Sequence, residues 1–168
     1  FTEIYHGETV DKTAEIRLLG KARAVKIGSK VIPQVGEDIT EQERLAPVEL
    51  IITPKGERVI DFGQNMTGYV EIRLAGPRGG KIVLRHAEVL DKEGNFYEGN
   101  MRSATNEVTY ILSGKEEIYK PTYTFQGFRY VRVDAFPGQI DLENICAKVI
   151  YSDMKRVGDF SCGNEKLN

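Results

Sequence analysis

The sequence predicts an all-β protein, an antiparallel β-sandwich of jelly-roll type, and three observations carry that prediction. From about residue 47 onward, short apolar runs are separated by turn residues such as Gly and Pro. Residues 69–74 set Val70, Ile72 and Leu74 against Glu71 and Arg73, the period of two expected when one sheet face is buried and the other wet. No segment there sustains apolar residues at i, i+3, i+4 and i+7. Most connections are only a few residues long, whereas parallel neighbours need a crossover of about a dozen or more.

The strands follow in order. Residues 47–53 form an apolar run that stops at Pro54-Lys55-Gly56, and 58–62 form the next. After 69–74, Gly76-Pro77-Arg78-Gly79-Gly80 makes a turn, and 81–89, 107–112, 128–135 and 144–151 continue the pattern. A shorter strand is expected within 117–125, giving about eight in all. Nine of the fifteen aromatic residues lie between Phe96 and Phe136, which marks the core, with Phe128 and Tyr130 expected on one face. Residues 1–46 have no core of their own, only candidate short strands at 16–19 and 24–27, and read as the end of a preceding domain and a linker. Residues 152–168 turn polar and read as a connector to a following domain. The start at Phe1 rather than Met leads us to expect a piece of a longer polypeptide.

Composition excludes several function classes. With 23 Lys and Arg against 25 Asp and Glu, the net charge of -2 gives neither a basic nucleic-acid footprint nor a polybasic membrane anchor. No stretch approaches the ~18 apolar residues of a membrane span. Cys146 and Cys162 are too few for a disulfide framework and are expected as a buried strand thiol and a free thiol. That usage leans to a reducing, cytoplasmic compartment, with secretion left open. His6 and His86 are the only histidines, so a three-histidine metal site is impossible, and no cofactor is expected.

Several short motifs dissolve on inspection. Asp61-Phe62-Gly63 lacks the glycine-rich loop and His-Arg-Asp loop that accompany it in protein kinases. Gly79-Gly80-Lys81 lacks the first Gly and the hydroxyl of a phosphate loop, since Ala75 and Ile82 stand there. Asp91-Lys92-Glu93-Gly94-Asn95 resembles a calcium loop, but Arg102 occupies the position of the closing bidentate Glu. Asn65-Met66-Thr67 is a glycosylation sequon, to which we attach no weight.

Five residues remain as candidates for contact with a ligand or a neighbouring domain. Alternation along 81–89 places Ile82, Leu84, His86 and Glu88 on one face, so an apolar row ends in two ionisable groups. The connection from Asp91 to Asn106 is far longer than the other turns, as functional loops tend to be. In it Asn100 and Arg102 offer an amide and a guanidinium to sugar hydroxyls or a neighbour, and Tyr97 offers a ring for stacking.

The run Val59-Ile60-Asp61-Phe62-Gly63-Gln64-Asn65-Met66-Thr67-Gly68-Tyr69-Val70 resembles the opening of the concanavalin-like β-sandwich domain of bacterial α-L-rhamnosidases, glycoside hydrolase family 78. Leu84-Arg85-His86-Ala87-Glu88-Val89-Leu90, Gly94-Asn95-Phe96-Tyr97, Asn100-Met101-Arg102-Ser103-Ala104 and Phe125-Gln126-Gly127-Phe128-Arg129-Tyr130-Val131 agree in order and spacing. The resemblance implies that 1–46 closes an N-terminal domain, that 47–151 is the sandwich, and that 152–168 leads into an (α/α)6 catalytic domain. It also implies that the acidic residues that hydrolyse terminal rhamnose with inversion lie in that catalytic domain, leaving no catalytic residue here. The expected partners are then the catalytic and N-terminal domains of the same polypeptide. Two other readings stay open: a carbohydrate-binding module for rhamnosides, which the lack of Trp weakens, and a self-sufficient enzyme on a jelly roll.

Overall fold

The computed structural model describes residues 1–15 and 17–168. Its ten strands are β1 (Thr2–Glu3), β2 (Gly7–Asp11), β3 (Ile39–Leu45), β4 (Glu49–Ile52), β5 (Arg58–Leu74), β6 (Lys81–Ala87), β7 (Glu107–Ile111), β8 (Glu117–Tyr119), β9 (Gln126–Ala135) and β10 (Ile145–Ser152). They hydrogen-bond in the order β1-β2-β7-β6-β9-β5-β10-β3, with β4 and β8 also paired to β5.

β5 organises the sheet. Its first residues pair with β4, β9 pairs with it at 59–61 and again at 66–68, and its last residues pair with β10 and β8. The sheet curls about this strand, so that Ile82, Leu84, Val108 and Val133 meet Val70, Ile72, Ile145 and Ala147 in one buried cluster. Tyr110 on β7 spans that core, its hydroxyl donating to the Val70 carbonyl at 3.3 Å. The alternation read at Val70, Ile72 and Leu84 is therefore the signature of a two-layered all-β core, as expected from the sequence.

Three differences from the expectation have physical causes. The strands expected at 58–62 and 69–74 are one strand, β5, carried through an irregularity in its pairing with β9. Phe128 and Tyr130 do not share a face, because the same irregularity interrupts the alternation of β9. Phe128 enters the main core, while Tyr130 packs with Val59, Ala87 and Phe96 in a second cluster.

Residues expected outside the sandwich also join its sheet. β2 pairs in parallel with β7, Gly7 opposite Glu107, and β3 lies antiparallel to β10 along its polar edge. Gly7 has φ 94°, and a Cβ there would lie 1.7 Å from the Glu107 carbonyl oxygen, so only glycine allows this approach. The strand expected at 24–27 does not form, and the one at 16–19 falls on Ile16, outside the described residues. Between β2 and β3, Leu18, Leu19 and Val35 are 95%, 99% and 93% exposed.

Candidate functional site

The candidate site grows from the irregularity between β5 and β9. Asp61 pairs with Tyr130 and Met66 with Phe128, so residues 62–65 of β5 stand opposite the single residue Arg129. Arg129 closes the gap by donating Nε to Asp61 Oδ1 and Nη2 to Oδ2, each at 2.8 Å. The Asp61 carboxylate also accepts the Gly63 N–H at 2.7 Å. Phe62 turns into the core, edge-on to Phe128 at 5.8 Å between ring centroids. Gln64 and Asn65 are pushed out to the surface. The run Asp61-Phe62-Gly63-Gln64-Asn65 is thus a bulge with a charged clasp, an inward anchor and two presented amides.

Asn65 meets Glu88 there. Its Nδ2 donates to Glu88 Oε1 at 3.2 Å, and Asn100 Nδ2 donates to Oε2 at 3.4 Å. Gly127 lies against the same carboxylate, which would stand 3.4 Å from a Cβ at that position. One surface carboxylate flanked by two amides is therefore assembled from four separate stretches of chain. Sequence reasoning missed Asn65, which it treated only as a sequon residue, although the residue lies inside the run that carries the resemblance.

The long connection that bears Asn100 is strapped to the outside of the sheet. Phe96, Leu90 and Met101 pack on Val59, Ala87 and Tyr130. Glu98 accepts from Arg85 at 3.0 Å and from Arg132 at 3.1 Å, and Arg132 lies over the Phe96 ring. Asp91 accepts the N–H groups of Asn95 and Glu93 at 2.7 and 3.0 Å, so it closes its own turn. Those amides hold its carboxyl below the usual range.

The other candidates are placed as follows. His86 is 1% exposed, with Nδ1 2.8 Å from the Asn106 carbonyl and its ring edge-on to Phe128. Desolvation lowers its pKa to about 4. It is thus separated from Glu88, which stands beyond the end of β6. Tyr97 is exposed but folds over Gly99, where a Cβ would come 2.6 Å from the tyrosine oxygen. Arg102 is exposed with φ 55°, and Asn106 has φ 46°, the two non-glycine residues with positive φ among the described residues.

Chemically, the surface offers hydrogen bonds, the Asn65 and Asn100 amides donating to the two oxygens of Glu88. The Arg129 guanidinium holds the Asp61 carboxyl below its ordinary range. Among the described residues, no three His, Cys, Asp or Glu side chains converge as metal ligands would.

Residues 51–151 match the family described as the bacterial alpha-L-rhamnosidase concanavalin-like domain. The chain belongs to that family. An alpha-L-rhamnosidase of Streptomyces avermitilis is 38% identical over 144 residues, 84% of this chain and 14% of that protein. The solved structure of a native alpha-L-rhamnosidase from Aspergillus terreus superposes with a TM-score of 0.81 at 30% identity, over 99% of this chain and 21% of that one. The alpha-L-rhamnosidase of Dictyoglumus thermophilum gives 0.83 at 31%, over 98% and 20%. The chain therefore corresponds to one domain of alpha-L-rhamnosidases and spans about a fifth or less of their length.

Proposed function

We propose that this domain is a non-catalytic β-sandwich module of an alpha-L-rhamnosidase, which packs on the catalytic domain of the same polypeptide and supports it. The observation that carries the reading is the convergence of Asn65, Glu88 and Asn100 on one surface held by the Asp61–Arg129 clasp and the strapped loop. A preorganised carboxylate between two amides matches the backbone N–H and C=O groups of a neighbouring loop, and its rigid mounting lowers the entropy cost of docking. The apolar residues Leu18, Leu19, Val35, Val157 and Phe160 stand exposed outside the sheet, as they do when further protein covers them. In this reading the polypeptide hydrolyses terminal α-L-rhamnose, and the acid and base belong to its catalytic domain. The test is calorimetric titration of this domain against the separately produced catalytic domain. Binding with a rise in the catalytic domain's melting temperature is expected. No binding and no change in that temperature would overturn the proposal, as would turnover of an aryl rhamnoside by this domain alone.

A further inference from the structure

A second surface, apart from Glu88, has the chemistry of a ligand site. Between β3, β5 and the segment 120–125 opens a cleft of about 330 Å³. At one end the Glu41 carboxylate accepts the Tyr69 hydroxyl and, at 3.0 Å, the Lys120 ammonium, with Lys148 at 3.4 Å. These donors lower the Glu41 pKa to about 2, the tyrosine hydroxyl first among them. Tyr123 and Phe125 stand along the cleft with their rings in solvent, and Tyr123 is 75% exposed.

The mounting of Tyr123 shows that this exposure is built in. The buried Glu8 carboxylate accepts the backbone N–H groups of Thr122 at 2.9 Å and Tyr123 at 2.7 Å. A carboxylate taken from water is spent on fixing the loop that holds an apolar ring out in water. A fixed, solvated ring beside a hydrogen-bonding end suits an occupant with one apolar face and a polar rim.

Charge narrows the occupant further. Glu41 and Lys120 present an acceptor and a donor side by side, and the Lys148 ammonium 3.4 Å from Glu41 is offset by Glu71 at 3.9 Å, so a charged ligand of either sign meets both attraction and repulsion. A wholly apolar occupant would strip water from both. Adjacent hydroxyl groups satisfy both at once, since each hydroxyl donates and accepts. We infer that this cleft is a saccharide-binding site for a neutral pyranose, with the C–H face of the sugar on Tyr123 and vicinal hydroxyls bridging Glu41 and Lys120. It stands independently of the docking proposal, and failure of catalytic-domain binding leaves it intact.

The test is titration of the ¹⁵N-labelled chain with L-rhamnose, D-glucose and D-glucuronate, followed by amide shifts. The expected result is saturable shifts at 40–41, 69, 120 and 122–125 with dissociation constants of about a millimolar for the neutral sugars, and weaker binding of glucuronate. Tyr123→Ala should weaken binding about tenfold at an unchanged melting temperature, because the ring is mostly in solvent, and Tyr123→Phe should restore it. No shifts at about 50 mM sugar, well above that constant, would overturn the inference. Shifts that persist unchanged in Tyr123→Ala, or that lie outside these residues, would overturn it equally.

Discussion

Arg129 grips Asp61 through two contacts of 2.8 Å at the point where β5 and β9 fall out of register. Asp61 is 6% exposed and Arg129 38%, so the carboxylate is buried and the guanidinium borders water. Arg129→Ala leaves a buried carboxylate without its counter-charge, while the partial exposure of Arg129 and the remaining Gly63 N–H limit the loss. We expect a destabilisation of about 2 kcal/mol, with Arg129→Lys between that and wild type because lysine cannot donate in the same fork. Urea unfolding of the three chains measures it, and equal midpoints would show the clasp to be dispensable.

His86 gives the domain an acid-sensitive stability. Its Nδ1–H donates to the Asn106 carbonyl, and its Nε2 is buried with no partner among the described residues. Burial depresses the folded pKa to about 4, whereas an unfolded histidine titrates near 6.5. The unfolded state therefore binds the extra proton between these values, and stability present above about pH 6.5 is lost as pH falls toward 4. From pH 7 to pH 5 the loss should be about 2 kcal/mol. That interval lies above the range where carboxylates such as Asp61 take up protons, so His86→Leu should flatten it. Unfolding free energies measured at both pH values check this, and an equal slope in the variant would assign the loss elsewhere.

How much of this was legible depends on where the sheet meets the core. Val70, Ile72, Ile82 and Leu84 announced their strands because one side of each faces a dry interior. β3, Ile-Thr-Glu-Gln-Glu-Arg-Leu, is an edge strand with no buried residue, so no alternation betrays it. β2 pairs with a strand about a hundred residues later, and short-range periodicity carries no trace of such a partner. The row Ile82-Leu84-His86 was read correctly, but its apolar company meant burial of the histidine, not its presentation. Glu88 and Asn100 stood out in the sequence, whereas their meeting with Asn65 depends on four residues opposing one across the bulge.

The docking of the N-terminal ribbon rests on one glycine. Gly7→Ala drives a Cβ into the Glu107 carbonyl and forbids the positive φ of that residue, so β2 must leave β7. Glu8 would go with it, releasing the Thr122 and Tyr123 amides it holds. We expect fast hydrogen exchange at residues 7–11 and 122–123, and a loss of about 2 kcal/mol or more in global stability from the abandoned pairing. Exchange unchanged at Thr122 and Tyr123 would show that Glu8 keeps its place without β2.

The Glu88 surface offers the sharpest separation of folding from docking. Asn65 and Asn100 are exposed and reach only the rim carboxylate, so Asn65→Ala and Asn100→Ala should each change the domain's own stability by no more than about 0.5 kcal/mol. If the surface docks, the same changes remove donors from the centre of a contact, where truncation commonly costs about 1–2 kcal/mol. Affinity for the catalytic domain should fall about tenfold for each, while Lys92→Ala, at an exposed turn of the same loop, should leave it unchanged. Calorimetry on these variants decides the matter. Full affinity in the double variant Asn65→Ala/Asn100→Ala would move the contact to another face, and lost affinity with a lowered melting temperature would make the amides supports of the loop.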